Sequence, residues 1–384
     1  MDHTDVAKLA RQFIGNTLEV QGGETVHIEY QGPKAELLAL ECATEVAAYG
    51  ARYSLSDTGS AFINKNIAGM PIGDLESYGR ELLEWTRGAE KYLRIRDDDD
   101  MKKVILSEDI RKEYKKAILP ALDYRVNHLR WLLVAAPTEA FATLCGQTME
   151  QFEHFYLDVC LPNYGAMREP VEPLKELMIR GKEVTVVSPK QGTNLTFSIE
   201  GIGARPCVGK RNIPDGECYT APVKNSINGV VSFGPSTYDG HRFSSIQLMI
   251  KDGRIETAEA ENAERSAQLN TILDTDPGAR YFGEFAISFN PYIWNPVGSI
   301  LFDEKIAGAF HMAAGSCYGG DTDNGNKSAV HFDLVQIQRP EYGGGEIWID
   351  DSLIRKDGLF VMPELEPLNP ENLAGAMSSG NSCD

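Results

Sequence analysis

The chain has 384 residues, 37 Lys+Arg against 56 Asp+Glu, a formal charge of −19 and a pI near 4.9. That balance repels phosphate backbones and anionic lipid, so neither nucleic acid nor a membrane is expected as a partner. With 42% hydrophobic, 9% aromatic and 24% charged residues it can bury real cores, which excludes disordered, collagen-like and low-complexity classes, and its length suits two domains.

No apolar run approaches the ~18 residues of a membrane span. The densest, Trp131 to Ala136, is strand-sized. The start, Met1-Asp2-His3-Thr4-Asp5, is acidic where a secretory signal is basic, and Val6, Leu9, Ala10, Phe13 and Ile14 follow a helical period. A cytoplasmic protein is expected. Seven cysteines without a C-x-x-C pair argue against a disulfide framework and a thiolate zinc site, leaving reduced and mostly buried thiols.

Along the chain, Thr25 to Tyr30 reads as a strand and Pro33 opens a helix reaching Tyr49, with Gly50 at the C-terminal cap. Ala51 to Leu55 follows as the next strand, completing a β-α-β unit with a parallel pair. The pattern recurs: a helix over Asp74 to Tyr92, a strand Tyr92 to Arg96, a helix Ser107 to Ala117, a strand Trp131 to Ala135, and helices between Glu139 and Cys160. Gln31-Gly32-Pro33-Lys34 after the first strand lacks G-x-G-x-x-G, so no dinucleotide site is expected. The acidic run Asp97 to Asp100 reads as a solvated loop.

After a helix Val171 to Arg180 the texture becomes short alternating segments: Glu183–Val187, Asn194–Ile199, Gly229–Phe233, Ile246–Ile250, Phe285–Phe289, Ser328–Gln338 and Glu346–Ile349. The expected architecture is an α/β N-terminal domain with an open, mainly parallel sheet over residues 1–180, followed by a β-rich α+β catalytic domain over 181–384. The tail from Asn369, poor in apolar residues, is expected to be mobile.

Metal-compatible side chains collect in the second half. On a strand, Val330, Phe332 and Leu334 face one way while His331 and Asp333 face the other, with Cα atoms ~6.6 Å apart. An isolated H-x-D is ordinarily a polar outer face. Glu217 follows the Asp215-Gly216 turn, and Glu284 lies opposite the Phe285, Ile287 and Phe289 stripe. His311 to Tyr318 reads as the end of a helix-like stretch, on which residues seven apart share a face. Gly320 to Ser328 resembles a phosphate loop but leads into a strand, and Asp321-Thr322-Asp323 starts like a calcium loop whose twelfth position would be Phe332; both are rejected.

The ordered set NIPDGE-x-x-TAP around Glu217, GE at Glu284, H-x-x-x-G-x-x-Y from His311 to Tyr318 and N-x-S-x-x-H-x-D from Asn326 to Asp333 resembles the M29 family of metallo-aminopeptidases. The resemblance implies a homodimeric, two-domain peptidase acting on peptides with a free N-terminus. It implies two divalent ions (Zn, Co, Mn or Mg) ligated by Glu217, Glu284, His311, Tyr318, His331 and Asp333. In that scheme Glu217 or Asp333 bridges the ions, Glu284 or Glu217 moves the proton, and Tyr318 ligates or donates to the oxyanion. The family's LFDEN run stands here as Leu301-Phe302-Asp303-Glu304-Lys305, so Glu304 receives no role. Cys218 and Cys317 are neighbours rather than ligands. A rival reading takes His311, His331 and Asp333 as the 2-His-1-carboxylate set of a ring-cleaving, non-haem Fe(II) dioxygenase.

Overall fold

The structure, a computed structural model, describes residues 1–238 and 240–379. Contacts divide the chain into two units: Met1–Leu161 with Gly209–Pro214, and Pro162–Val208 with Asp215 onward. The helix Glu172–Arg180, placed before the boundary at 180 by the sequence pattern, belongs to the second unit. Residues Gly209–Pro214 return to the first.

The first unit is an open α/β layer. Its sheet runs Arg52–Asp57, Thr25–Tyr30, Lys91–Arg96, Arg130–Ala135 and Asn212–Ile213 in spatial order, every pair parallel. The first crossover is Gly32–Ala48, with Pro33 in its opening turn and Gly50 in the left-handed conformation just beyond its end. The helix Glu108–His128 runs eleven residues past its expected end at Ala117, carrying Pro120 inside it. It packs along Ile72–Arg87, where a side chain at Gly79 would strike the Ala117 backbone. Close packing of the two helices outweighs the hydrogen bond lost at proline.

The acidic run is not the solvated loop expected from its charge. Asp98–Met101 forms a helical turn, and buried Asp97 caps it by accepting from the Asp99 and Asp100 amides. Asp100 is buried too, accepting from Ser60 N at 2.6 Å and Ser60 Oγ at 2.8 Å. Carboxylates that can saturate backbone and hydroxyl donors leave water at modest cost.

The second unit packs two large antiparallel sheets, with a two-stranded one over Ser236–Tyr238 and His241–Phe243 beside them. Eight strands, from Arg254–Ala260 at one edge to Leu359–Phe360 at the other, form the larger. Five strands form the smaller, in the order His331–Ile337, Ala309–Gly315, Phe282–Ser288, Glu217–Thr220 and Arg205–Cys207. Phe197 of the larger meets Phe285 of the smaller edge-on at 5.0 Å, and Phe233 meets Phe310 at 6.3 Å.

The tail differs from expectation: Pro370–Ser379 is a helix, with Leu373 and Met377 fully buried. Two apolar residues four apart share one helical face, which suffices to dock it. Residues 380–384, including Cys383, lie outside the described residues. Among the described residues no helix is long and apolar enough to cross a membrane.

Replacing Asp100 with Ala leaves the Ser60 amide and hydroxyl buried without acceptors. Unfolding free energy should fall by about 1–3 kcal/mol in a denaturant titration. No change would show the run to be the solvated surface its charge suggests.

Candidate metal centre

The face alternation of the five-stranded sheet assembles the site. Cross-strand partners share a face, so the pairs Glu284↔Ala313↔Asp333, Ala286↔His311, Ser288↔Glu217 and Gly315↔His331 put all five polar side chains on one side. Among them stand the small residues Ala286, Ser288, Ala313 and Gly315, a floor low enough for longer side chains to lean over, with Tyr219 and Val335 at its margins. The opposite side carries Phe285, Ile287, Phe310, Met312, Phe332 and Leu334, all buried in the core.

Glu284 reaches the polar face because the register shifts between Phe282 and Glu284. Phe282 pairs with Ala314 on the core side, and one extra residue, Gly283, moves Glu284 opposite Ala313 instead of Met312. Without that bulge its carboxylate would enter the phenylalanine layer. A side chain at Gly283 would collide with the Ser316–Cys317 backbone, so the bulge requires glycine.

Both imidazoles are oriented by main chain. His311 Nδ1 lies 3.2 Å from the Glu304 carbonyl and His331 Nδ1 2.8 Å from the Ser316 carbonyl. A carbonyl only accepts, so Nδ1 carries the hydrogen and Nε2 is turned to the carboxylates. His311 Nε2 stands 3.6 Å from both Glu217 Oε2 and Glu284 Oε1; His331 Nε2 stands 3.3 Å from Glu284 Oε2 and Asp333 Oδ1. Glu217 Oε2, His331 Nε2 and Asp333 Oδ1 are buried without a hydrogen bond. An oxygen- and imidazole-rich set with orphaned, convergent lone pairs fits a hard or borderline divalent cation.

Among the described residues, four groups have ligand atoms within 4.8 Å of one another: Cys207/Asp215/Glu217, Glu217/Glu284/His311, Glu284/His331/Asp333 and Glu304/His311/Asp333. Glu217, Glu284, His311 and Asp333 each stand in two of them. Sequence reasoning missed Cys207, which sits directly across from Glu217, and left Glu304 without a role. It also missed Lys305, whose ammonium lies 2.5 Å from Glu217 Oε1 and 3.0 Å from Glu304 Oε1. No local pattern marks a lysine that only tertiary structure buries.

Charges in this enclosure shift one another. Burial by itself would raise the Glu284 carboxyl, but the two imidazoles bring it down to about 2. Burial opposes a charged His311, yet Glu217, Glu284 and Asp333 raise it to about 9; Asp333 and Glu284 likewise raise His331. Burial, helped by Glu217 and Asp333 against Lys305, pushes Glu304 up to about 7.

One element is corrected. His311 lies not at a helix end but in the strand Ala309–Gly315, whose seven residues are all buried. Small residues there mimic a helical stretch, whereas the sheet uses them as the floor between ligands. Tyr318, beyond that strand, therefore shares no helical face with His311. Its ring lies 5.2 Å from that of His331 and 5.3 Å from that of Tyr219, with 44% of the residue exposed. Burial of its phenol and the charges of Glu284 and Asp333 raise its pKa well above normal. Cys218 faces the core, and Cys317 Sγ donates to Asp323 and the Asn326 carbonyl.

The family model for thermophilic metalloproteases (M29) matches residues 2–341. The chain belongs to the M29 family. Aminopeptidase 2 of Geobacillus stearothermophilus is 32% identical over 168 residues, covering 38% of this chain and 37% of that protein. Aminopeptidase T of Thermus aquaticus is 32% identical over 195 residues, covering 44% and 45%. The chain thus spans less than half the length of these curated relatives. Across 94% of this M29 chain and 99% of the other, the fold is similar to wild-type AmpT from Thermus thermophilus, at a TM-score of 0.76 and 21% identity. It is also similar, at 0.62 and 16%, to 2,5-dihydroxypyridine dioxygenase from Pseudomonas putida KT2440, over 95% and 99%.

The sign of the pH dependence follows from His311. Its pKa of about 9 in the cation-free protein exceeds the ordinary 6.5, so its contribution to stability is complete below about pH 6.5 and lost as pH rises through about 9. A divalent ion needs the lone pair that this proton occupies. Binding should therefore release protons and tighten between pH 6.5 and 9, read by calorimetry in buffers of different ionisation enthalpy. Affinity flat across that interval would contradict this assignment of charge.

Proposed function

We propose that this chain is a metal-dependent aminopeptidase that hydrolyses the N-terminal residue from peptides at the Glu217, Glu284, His311, His331, Asp333 cluster. The observation that carries the reading is the convergence of three carboxylates and two Nε2 lone pairs, oriented by backbone, on one face of a sheet. Divalent ions held there (Zn, Co, Mn or Mg) supply the Lewis acidity that polarises a scissile carbonyl and makes water nucleophilic near neutral pH.

Two positions suit the groups. The groups Glu217/Glu284/His311 and Glu284/His331/Asp333 would each hold one ion, and Glu284 is common to both. In this reading Glu284 or Glu217 accepts the water proton and returns it to the leaving amine. Tyr318, its phenol kept protonated by burial and neighbouring carboxylates, donates to the developing oxyanion. Exopeptidase specificity would follow from a free α-amine binding at the metal or to a nearby carboxylate, so that chain ends rather than internal bonds reach the site. The reading includes a cytoplasmic homodimer, for which light scattering of the purified chain is the measure.

The dioxygenase reading needs His311, His331 and Asp333 on one iron. Ligand atoms on one face of an octahedral ion stand about 3 Å apart, yet among the described residues none of the four groups contains both imidazoles. Glu217 and Glu284 also have no part in a 2-His-1-carboxylate site.

Glu284→Gln should lower cleavage of an aminoacyl-anilide panel by roughly 10²–10⁴-fold with the fold retained. The same exchange at Glu217 separates roles: the proton acceptor loses kcat while keeping metal, and a ligand loses metal. A parent protein that cleaves nothing with Zn, Co, Mn or Mg would refute the peptidase reading. One iron per chain with oxygen consumption would replace it with the dioxygenase.

A further inference from the structure

The centre already contains a cation. Lys305 has a side chain only 1% exposed, with Nζ 2.5 Å from Glu217 Oε1, 3.0 Å from Glu304 Oε1 and 3.6 Å from Asp215 Oδ1. Its backbone is held on both sides, donating to the Phe302 carbonyl at 2.9 Å and accepting from the Asn290 amide at 3.1 Å. The ammonium is therefore built into the site rather than swung across it.

Consequently the two candidate positions are not equivalent. Among the described residues, Glu284 and Asp333 form ion pairs with imidazoles alone, so the group Glu284/His331/Asp333 has no fixed positive charge beside it. Glu217, in the group Glu217/Glu284/His311, already has Oε1 ion-paired with Lys305, while Oε2 is buried without a hydrogen bond. A dication entering there gains half a carboxylate and faces a compact ammonium that cannot retreat to solvent.

We propose that Lys305 takes over part of the charge of one cation, so that the Glu284/His331/Asp333 position holds its ion tightly and the Glu217/His311 position holds its ion weakly. This rests on the metal-centre reading above and deepens it: the lysine sets the spacing between two binding constants. With the ammonium removed, Glu217 and Glu304 lose the cation that stands between them, an arrangement that draws in a divalent ion.

The test is a calorimetric titration of the metal-stripped full chain with Zn²⁺ alone, comparing the wild type with Lys305→Met, which keeps length and removes charge, and Lys305→Arg, which keeps charge. The wild type should bind one ion tightly and a second far more weakly. Lys305→Met should tighten the second ion by roughly 10- to 100-fold, whereas Lys305→Arg should not. Two equally tight ions in the wild type, or a second constant unmoved in Lys305→Met, would overturn the role of Lys305 while leaving the metal centre standing. If Lys305→Met fails to fold, the ratio of the two wild-type constants still decides. No Zn²⁺ bound by the wild type would remove the metal centre itself.

Discussion

Carboxylates drawn out of water towards one point repel one another, and the second unit is arranged around that repulsion. Asp215, Glu217 and Glu284 are buried and Glu304 and Asp333 only partly exposed, so water screens the cluster poorly. They are answered by the Lys305 ammonium, by two imidazoles whose protons they hold in place, and, in the proposed reaction, by divalent ions. Their convergence is held by the backbone. A five-stranded ladder sealed on its other face by phenylalanines carries it, and Arg355, fully buried, donates to the Ser288 and Ala309 carbonyls of two ligand strands.

That rigidity explains why the imidazoles depend on main-chain acceptors. The Glu304 carbonyl receives both His311 Nδ1 and the Ser288 hydroxyl, so one peptide group fixes a ligand's tautomer and ties its neighbouring strand. A carboxylate in that position would add another negative charge to an enclosure already rich in them. Neutral carbonyls orient the rings without doing so.

The fold by itself is not specific to one chemistry: AmpT and a dihydroxypyridine dioxygenase both resemble it across nearly the whole chain. What separates hydrolysis from oxygen chemistry here lies in a few side chains. Glu217 and Glu284 stand in the cluster as candidate oxygen ligands, and among the described residues no group that could hold an ion contains both imidazoles. Lys305 then makes those groups unequal.

Much of this was legible beforehand. The β-α-β succession of the first unit follows from local patterns, since each helix and strand carries its period in consecutive residues, and the faces of His331 and Asp333 follow from alternation alone. Non-local packing misled where it overrode local cues: small residues that resemble a helix serve as a strand floor, an acidic run becomes a buried cap, and a tail poor in apolar residues docks by two of them. The sequence by itself determined which side chains were available and which strand face His331 and Asp333 would take, because both are set within a few residues of chain. Only the tertiary structure decided that Gly283 would shift Glu284 into the cluster and that Lys305, Glu304 and Cys207 would join it, because convergence depends on cross-strand register and burial, which no short stretch of chain contains.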